Sequence, residues 1–368
     1  MLVHCIVGTR PNFVKIAPIM KALGRCQRIR AHLIHTGQHY DTVMSRSFFE
    51  DLTIPEPDRY LNVGSGTHAV QTARIMESYE QVLNEEKPGL VLVVGDVNST
   101  LACSLTAAKA VTPIAHIEAG LRSFDRTMPE EINRLVTDTL ADHLFTTCTD
   151  ADENLRREGV SPERIHFVGN VMIDALLTSL PLAARKKTIK RLQLEAEHYA
   201  LVTIHRPSNV DEPESFFRVL MILEAIGRML PVVFPIHPRT EKQAEALGLA
   251  DRLHACPGLQ LVAPLRYLEF INLLSSARLV LTDSGGIQEE TTILRIPCLT
   301  LRPNTERPIT IREGTNRLVG TDPDVVIDAA RKALGSSDKP KCSPPPLWDG
   351  KAAERIAAIV EQIATAPA

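Results

Sequence analysis

Short apolar, β-branched runs alternate with helical patterns along this chain, and that alternation constrains its fold more than any other feature. In the first half the runs are HCIVG (4–8), AHLIHTG (31–37), LVLVVGD (90–96), PIAHIEAG (113–120), HLFTT (143–147) and RIHFVGN (164–170). Helical patterns such as 14–24, 68–86 and 129–142 fill the gaps. The second half repeats the grammar with YALVTIHR (199–206), PVVFPIH (231–237), LQLVAP (259–264), ARLVLTD (277–283) and PCLTL (297–301), and with helical patterns such as 214–229 and 285–295. Apolar runs of this length separated by helices belong in parallel sheets covered on both faces. Two sets of them predict an α/β protein of two Rossmann-like domains facing a cleft, 1–170 and 171–349. A last amphipathic helix, 350–366, follows the proline-rich KPKCSPPPLW and is expected to pack back on the first domain.

The length of 368 residues is enough for a buried core in each domain. A net charge of −3 offers nucleic acid no bulk attraction. No stretch approaches the roughly 18 consecutive apolar residues of a membrane span, so no membrane partner is expected. The opening MLVHCIVGTRP reads as a strand and turn, not as a signal peptide. Seven scattered cysteines without a CxxC read as reduced thiols of a cytoplasmic protein, not as a disulfide or zinc framework.

In sheets of this kind ligands sit beyond the carboxyl ends of the strands. The segments just after the apolar runs are GTRP, GQHYD, GDVNST, EAGLRS, HRPSN, HPRT and DSGG, and their polar character points to a site in the cleft between the domains. In DSGG, Ser284, Gly285 and Gly286 offer amides at a helix start, which suit a phosphate. A serine N-cap on an ordinary helix is the plainer alternative. GTRP is a similar glycine turn, with Arg10 in it and Lys15 a turn later. One such site per domain fits a diphosphate bridging the cleft. Yet Glu289 and Glu290 follow the second glycine pair closely, where an anion should be repelled.

GSGTHA, with Gly64, Gly66 and Ala69, matches a dinucleotide fingerprint but lies outside the first strand–helix unit. A turn leading into the helix from 68 accounts for it better than NAD binding. Asp96 and Glu118 each end a strand, where a buried carboxylate is costly unless it is used. MPEEINR puts Glu130, Glu131 and Arg134 in a first helical turn, where Glu130 and Arg134 also fit a surface pair. His205 and His237 end strands, but neither HExxH nor a close second ligand supports zinc there. The absence of GxSxG removes the commonest α/β-hydrolase reading.

Taken together, GTRPNFVKIAP, TGQHYD, VVGDVNST, HIEAGLRS, PEEINR, TIHRPSN, PIHP and LTDSGGIQEE…TERP resemble the non-hydrolysing UDP-N-acetylglucosamine 2-epimerases, in order and over nearly the whole chain. The resemblance implies a glycosyltransferase-B-type fold, a homodimer, no cofactor and no metal. It implies a UDP-sugar substrate whose C2 is inverted by elimination and re-addition of UDP through 2-acetamidoglucal, for surface polysaccharide precursors. Carried over by motif, Asp96, Glu118 and Glu130 are the acid–base groups and His205 assists near the departing phosphate. Arg10, Ser284, Gly285 and Gly286 take the diphosphate, with Lys15 and Arg134 also on the substrate. Phe270 lies against the uracil, Glu290 takes the ribose diol, and His237 and Arg307 flank the nucleotide.

GTRPNF stands where GTRPEA is usual, HRPSN where HRREN is usual, and Tyr40–Asp41 follow GQH. These departures leave the sugar specificity open and imply a weakened requirement for a second, activating UDP-GlcNAc. A hydrolysing relative, a glycosyltransferase of the same fold and a non-catalytic sugar-nucleotide regulator stay as alternatives.

Overall fold

A computed structural model describes residues 1–38, 49–336, 340 and 342–365, and the chain divides into two compact units. The first unit comprises Met1–Leu177 and Pro346–Ala368, the second Thr178–Pro345.

The first unit holds a parallel sheet of strands β1 (Leu2–Val7), β2 (Arg30–His35), β3 (Arg59–Tyr60), β4 (Leu90–Val94), β5 (Ile114–Ala119), β6 (His143–Thr146) and β7 (Ile165–Phe167). Their spatial order is β3-β2-β1-β4-β5-β6-β7. Its longer helices are α1 (Arg10–Leu23), α2 (His68–Glu86), α3 (Asn98–Lys109), α4 (Pro129–Leu140) and α5 (Thr149–Arg157), and α6 (Val171–Ala183) begins in it and ends in the second unit. Every residue of β4 and β5 is buried, as expected for central strands covered on both faces. Ile6, Ile34, Ile75, Tyr79, Val91, Val93 and Leu144 form the core between the sheet and α2 and α3. Helix α2 begins where the glycine-rich turn leads, and Thr67 is its cap, accepting from the Val70 amide.

The second unit repeats the plan with β8 (Ala200–Thr203), β9 (Val232–Pro235), β10 (Leu259–Val262), β11 (Leu279–Thr282), β12 (Cys298–Thr300) and β13 (Asn316–Leu318), ordered β10-β9-β8-β11-β12-β13. Its longer helices are α7 (Pro213–Gly227), α8 (Pro238–Ala246), α9 (Tyr267–Leu274), α10 (Gly285–Leu294) and α11 (Pro323–Gly335). Ile222, Leu223, Phe234, Leu281 and Val326 lie in its core.

Helix α12 (Ala352–Ile363) belongs to the first unit, packed on α1. Its first amides, of Ala352 and Ala353, donate to the buried carboxylate of Asp174 at 3.1 and 2.7 Å, and the indole of Trp348 donates to Thr147 O. A side chain from α6 thereby satisfies the amides that a helix start leaves unpaired.

In each sheet the order reverses beside the first strand, between β1 and β4 and between β8 and β11. Ligands bind such sheets outside the carboxyl ends of the strands that flank the reversal. The segments there are GTRP and GDVNST in one unit, HRPSN and DSGG in the other. The seven cysteines are free thiols, five buried and two half-buried. Among the described residues no helix is long and apolar enough to cross a membrane.

Candidate active site

In the first unit the sequence-selected side chains gather at the ends of β1, β4 and β5. Glu118 is buried in β5 at φ +72°, and the pairing with β6 slips between Ile117 and Ala119 around it. Only a few per cent of non-glycine residues adopt positive φ, and a bulge of this kind re-aims one side chain. The Glu118 carboxylate accepts from the ammonium of Lys15, which reaches it from the second turn of α1. Gly95, at φ +68°, leaves this pair its room: a Cβ there would stand 3.2 Å from Lys15 Nζ and 3.4 Å from Glu118 Oε2. Asn12 shapes the same turn, accepting from the Thr9 amide at 3.1 Å and donating to Val94 O at 2.9 Å.

Asp96 is half-buried after β4, and Arg134 Nη1 donates to its Oδ2 at 2.5 Å. Arg134, although 2% exposed, also binds Glu131 Oε2 at 2.6 Å. The surface pair Glu130–Arg134 is therefore not formed, because Arg134 turns inward to Asp96 and Glu131 while Glu130 stays half-buried in the first turn of α4. Glu131 accepts from the Ser123 and Phe124 amides, and although burial opposes it, these bonds and Arg134 hold its carboxyl below the usual range. Lys15 and Arg134, expected on the substrate, are thus each bonded to one of the expected acid–base carboxylates.

Beneath them lies a network that sequence reasoning missed. His116 Nδ1 is 2.6 Å from Asp138 Oδ1 and its Nε2 is 2.8 Å from Gly95 O. The Gly120 amide donates to Asp138 Oδ2 at 3.0 Å, and Arg122 Nη1 lies 2.7 Å from the same oxygen. Burial opposes ionisation of Asp138, but His116 and Arg122 hold its carboxyl below the ordinary value. The network ties down Gly95 and Gly120, the chain neighbours of Asp96 and Ala119, so it fixes the backbone that aims Asp96 and Glu118. The histidine of HIEAGLRS was the available signal.

In the second unit Ser284, Gly285 and Gly286 open α10 after β11. Ser284 does occupy the N-cap position of the helix, but its side chain makes no cap hydrogen bond, and its amide donates to Thr282 Oγ1 at 3.0 Å. At Gly285 a Cβ would stand 2.5 Å from Arg307 Nη1, so a side chain there would displace the buried Arg307 head group. Glu289 is buried with Arg307 Nε 2.8 Å from its Oε1, and Arg307 also contacts Glu306, which Arg302 holds at 2.8 Å. Glu290 is buried as well. Burial, with the charge of Glu289 beside it, pushes its carboxyl up to about 8 against a hydrogen bond with Tyr267. Phe270 is half-buried in α9, and His237 is exposed and caps α8, its Nδ1 accepting from the Arg239 amide at 3.2 Å.

His205 follows β8 with a half-exposed side chain whose Nδ1 lies 3.1 Å from Asp283 Oδ1. Asp283 itself is fully buried and also accepts from the His205 and Arg206 amides and from Asn209. Burial works against its charge, but His205 and these donors keep its carboxyl low. Asp283 is a second residue the sequence reading passed over, although it begins DSGG. Arg10 is half-buried as the first residue of α1. Gln38 is buried with Oε1 on the Ser99 amide and hydroxyl, whereas His39, Tyr40 and Asp41 lie outside the described residues.

The chain as a whole is similar to known proteins. Residues 21–361 match the family model described as UDP-N-acetylglucosamine 2-epimerase. A UDP-N-acetylglucosamine 2-epimerase of Methanocaldococcus jannaschii is 43% identical over 98% of this chain and 99% of its own. The UDP-2,3-diacetamido-2,3-dideoxy-D-glucuronate 2-epimerase of Pseudomonas aeruginosa is 42% identical over 92% of this chain and 93% of its own. The crystal structure of the M. jannaschii enzyme in complex with UDP-GlcNAc and UDP superposes with a TM-score of 0.92 over 98% of this chain and all of the other, at 43% identity. The Neisseria meningitidis enzyme bound to UDP-GlcNAc gives a TM-score of 0.85 at 29% identity, over 98% of this chain and all of the other. The α/β architecture of two parallel sheets is thus the glycosyltransferase-B-like one of these enzymes, and the chain belongs to the UDP-N-acetylglucosamine 2-epimerase family of isomerases.

Proposed function

We propose that this protein interconverts UDP-N-acetylglucosamine and UDP-N-acetylmannosamine without hydrolysis, by elimination and re-addition of UDP. The C2 proton of the sugar has no carbonyl beside it, so direct deprotonation is out of reach. In the elimination a carboxylate takes the C2 proton, the C1–O bond breaks, and UDP leaves with its electron pair, giving 2-acetamidoglucal. In the return step UDP oxygen re-forms the bond to C1 and the proton reaches the other face of C2. Charge grows at C1 along this path, and carboxylates stabilise it.

The observation that carries the reading is Glu118, buried at a left-handed backbone position with Lys15 as its counter-ion, beside the Asp96–Arg134 pair. An acid–base group must be held in a fixed position, and the ion pair with Lys15 holds Glu118. In this reading Asp96, Glu118 and Glu130 share the proton transfers, and His205, oriented by Asp283, serves the departing phosphate. Arg10, Ser284, Gly285 and Gly286 receive the diphosphate, with Phe270, His237 and Arg307 around the nucleotide. Glu290 takes the ribose diol, and Glu289 answers to Arg307. The same reading makes the protein a cytoplasmic homodimer that supplies surface polysaccharide precursors.

Incubation with UDP-GlcNAc in heavy water, without added cofactor, tests the reaction. The expected product is UDP-ManNAc carrying deuterium at C2. UDP and free sugar accumulating together would establish hydrolysis instead. Because a 42% identical relative is a UDP-2,3-diacetamido-2,3-dideoxy-D-glucuronate 2-epimerase, that sugar nucleotide is run in parallel, and the larger kcat/KM decides the substrate.

A further inference from the structure

In the sheet of the first unit, His4 on β1 and His32 on β2 are register partners of adjacent parallel strands. Their rings are parallel within 5°, with centroids 6.4 Å apart. Glu86, the last residue of α2, brings Oε2 to 3.0 Å from His4 Nε2 and 2.8 Å from His32 Nδ1. All three atoms lie within 4.8 Å of one another. The epimerase chemistry uses none of these residues.

We infer that His4, His32 and Glu86 form a binding site for a first-row transition-metal ion, Zn²⁺ by ligand type, that staples β1, β2 and α2 together. Two imidazoles and a carboxylate suit Zn²⁺, Co²⁺ or Ni²⁺, whereas Mg²⁺ and Ca²⁺ prefer oxygen ligands alone. With metal–ligand bonds of about 2.0–2.2 Å, neighbouring ligands of a tetrahedral ion stand about 3.3 Å apart, so the carboxylate–imidazole distances of 3.0 and 2.8 Å need only a small widening.

For two of the three ligands the remaining polar atom already has a support. His4 Nδ1 lies 3.2 Å from the Tyr79 hydroxyl, and Arg59 Nε donates to Glu86 Oε1 at 2.7 Å. Metal ligands are oriented by outer partners of this kind. His4 is fully buried, but His32 and Glu86 are 14% and 12% exposed, which leaves an entry and room for water as fourth ligand. The neighbouring guanidinium of Arg59 repels a dication, so the ion binds reversibly and not as a permanent part of the fold.

Metal-stripped protein titrated with Zn²⁺ is expected to take up one ion per chain with a rise in Tm of at least about 2 °C. Co²⁺ at the same site should give the visible d–d bands of a tetrahedral ion, which Zn²⁺ displaces. In the wild type, Co²⁺ should broaden the nuclear magnetic resonance signals of residues 4, 32 and 86 first, a readout that needs no variant. His32→Gln and Glu86→Gln should each weaken Zn²⁺ uptake at least about tenfold while keeping UDP binding. Unchanged uptake in folded His32→Gln, broadening centred elsewhere, or no uptake at all would overturn the proposal.

Discussion

Arg307 Nε stands 2.8 Å from Glu289 Oε1 with both side chains buried, so the first of the two adjacent glutamates after the glycine pair already has its counter-ion. Glu290, one residue on, has Tyr267 as its neighbour instead, and its carboxyl is pushed up to about 8. The two residues look equivalent in sequence and are opposite in electrostatics.

A stability experiment follows from that difference. Between the ordinary value of 4.5 and about 8, folded Glu290 keeps a proton that the unfolded chain has lost. Its contribution to stability therefore falls as pH rises through this window. Glu290→Gln removes the slope, so thermal melts at pH 5, 7 and 9 should show the variant gaining on the wild type with pH, by up to about 4 kcal/mol. A variant that loses ground as pH rises would contradict the assignment.

Binding and turnover should separate between the units. Glu290→Ala is expected to weaken UDP binding in calorimetry. Asp96→Asn and Glu118→Gln should bind UDP as the wild type does but turn over at least about 10²-fold more slowly. Lys15→Met should join the second group, because it strips Glu118 of its cation.

His205 depends on Asp283 for its orientation, and Asp283 also holds two backbone amides. Asp283→Asn should therefore lower kcat by about 10²-fold and also lower Tm, whereas His205→Gln should lower kcat alone. Paired melting and steady-state measurements distinguish the two.

Asp174 accepts from the first amides of α12 in a buried setting. Asp174→Ala leaves both donors without a partner, at a cost of about 2 kcal/mol. Limited proteolysis should then cut first in the segment before α12, and hydrogen exchange of Ala352 and Ala353 should accelerate. Unchanged exchange at these amides would show that another acceptor suffices.

Much of the frame was readable because buried parallel strands need continuous apolar runs. The helix at 68–86 has the same bounds in sequence and structure, and the strand ends fall where the polar motifs begin. β3 and β13 were not readable: Arg59–Tyr60 and Asn316–Leu318 lie in no continuous apolar run. Long-range pairs escaped for another reason. Lys15 and Glu118 are 103 residues apart, and nothing local signals their meeting. Arg134 illustrates a third limit, since helical spacing allowed Glu130 or Glu131 as its partner and only the inward position of Asp96 decided the matter. Asp283 was visible as a letter but not as His205's partner, because 78 residues of chain separate them.

The return of α12 to the first unit also sets an order of events during synthesis. Residues 178–345 leave the ribosome before the helix that covers α1, so the second unit can close while the first still shows an apolar flank. That flank is exposed for the whole time the second half is being made, which opens an interval for chaperones or for pairing with another nascent copy. Slowing translation within the second half would lengthen the interval, and joining α12 ahead of β1 by circular permutation would abolish it.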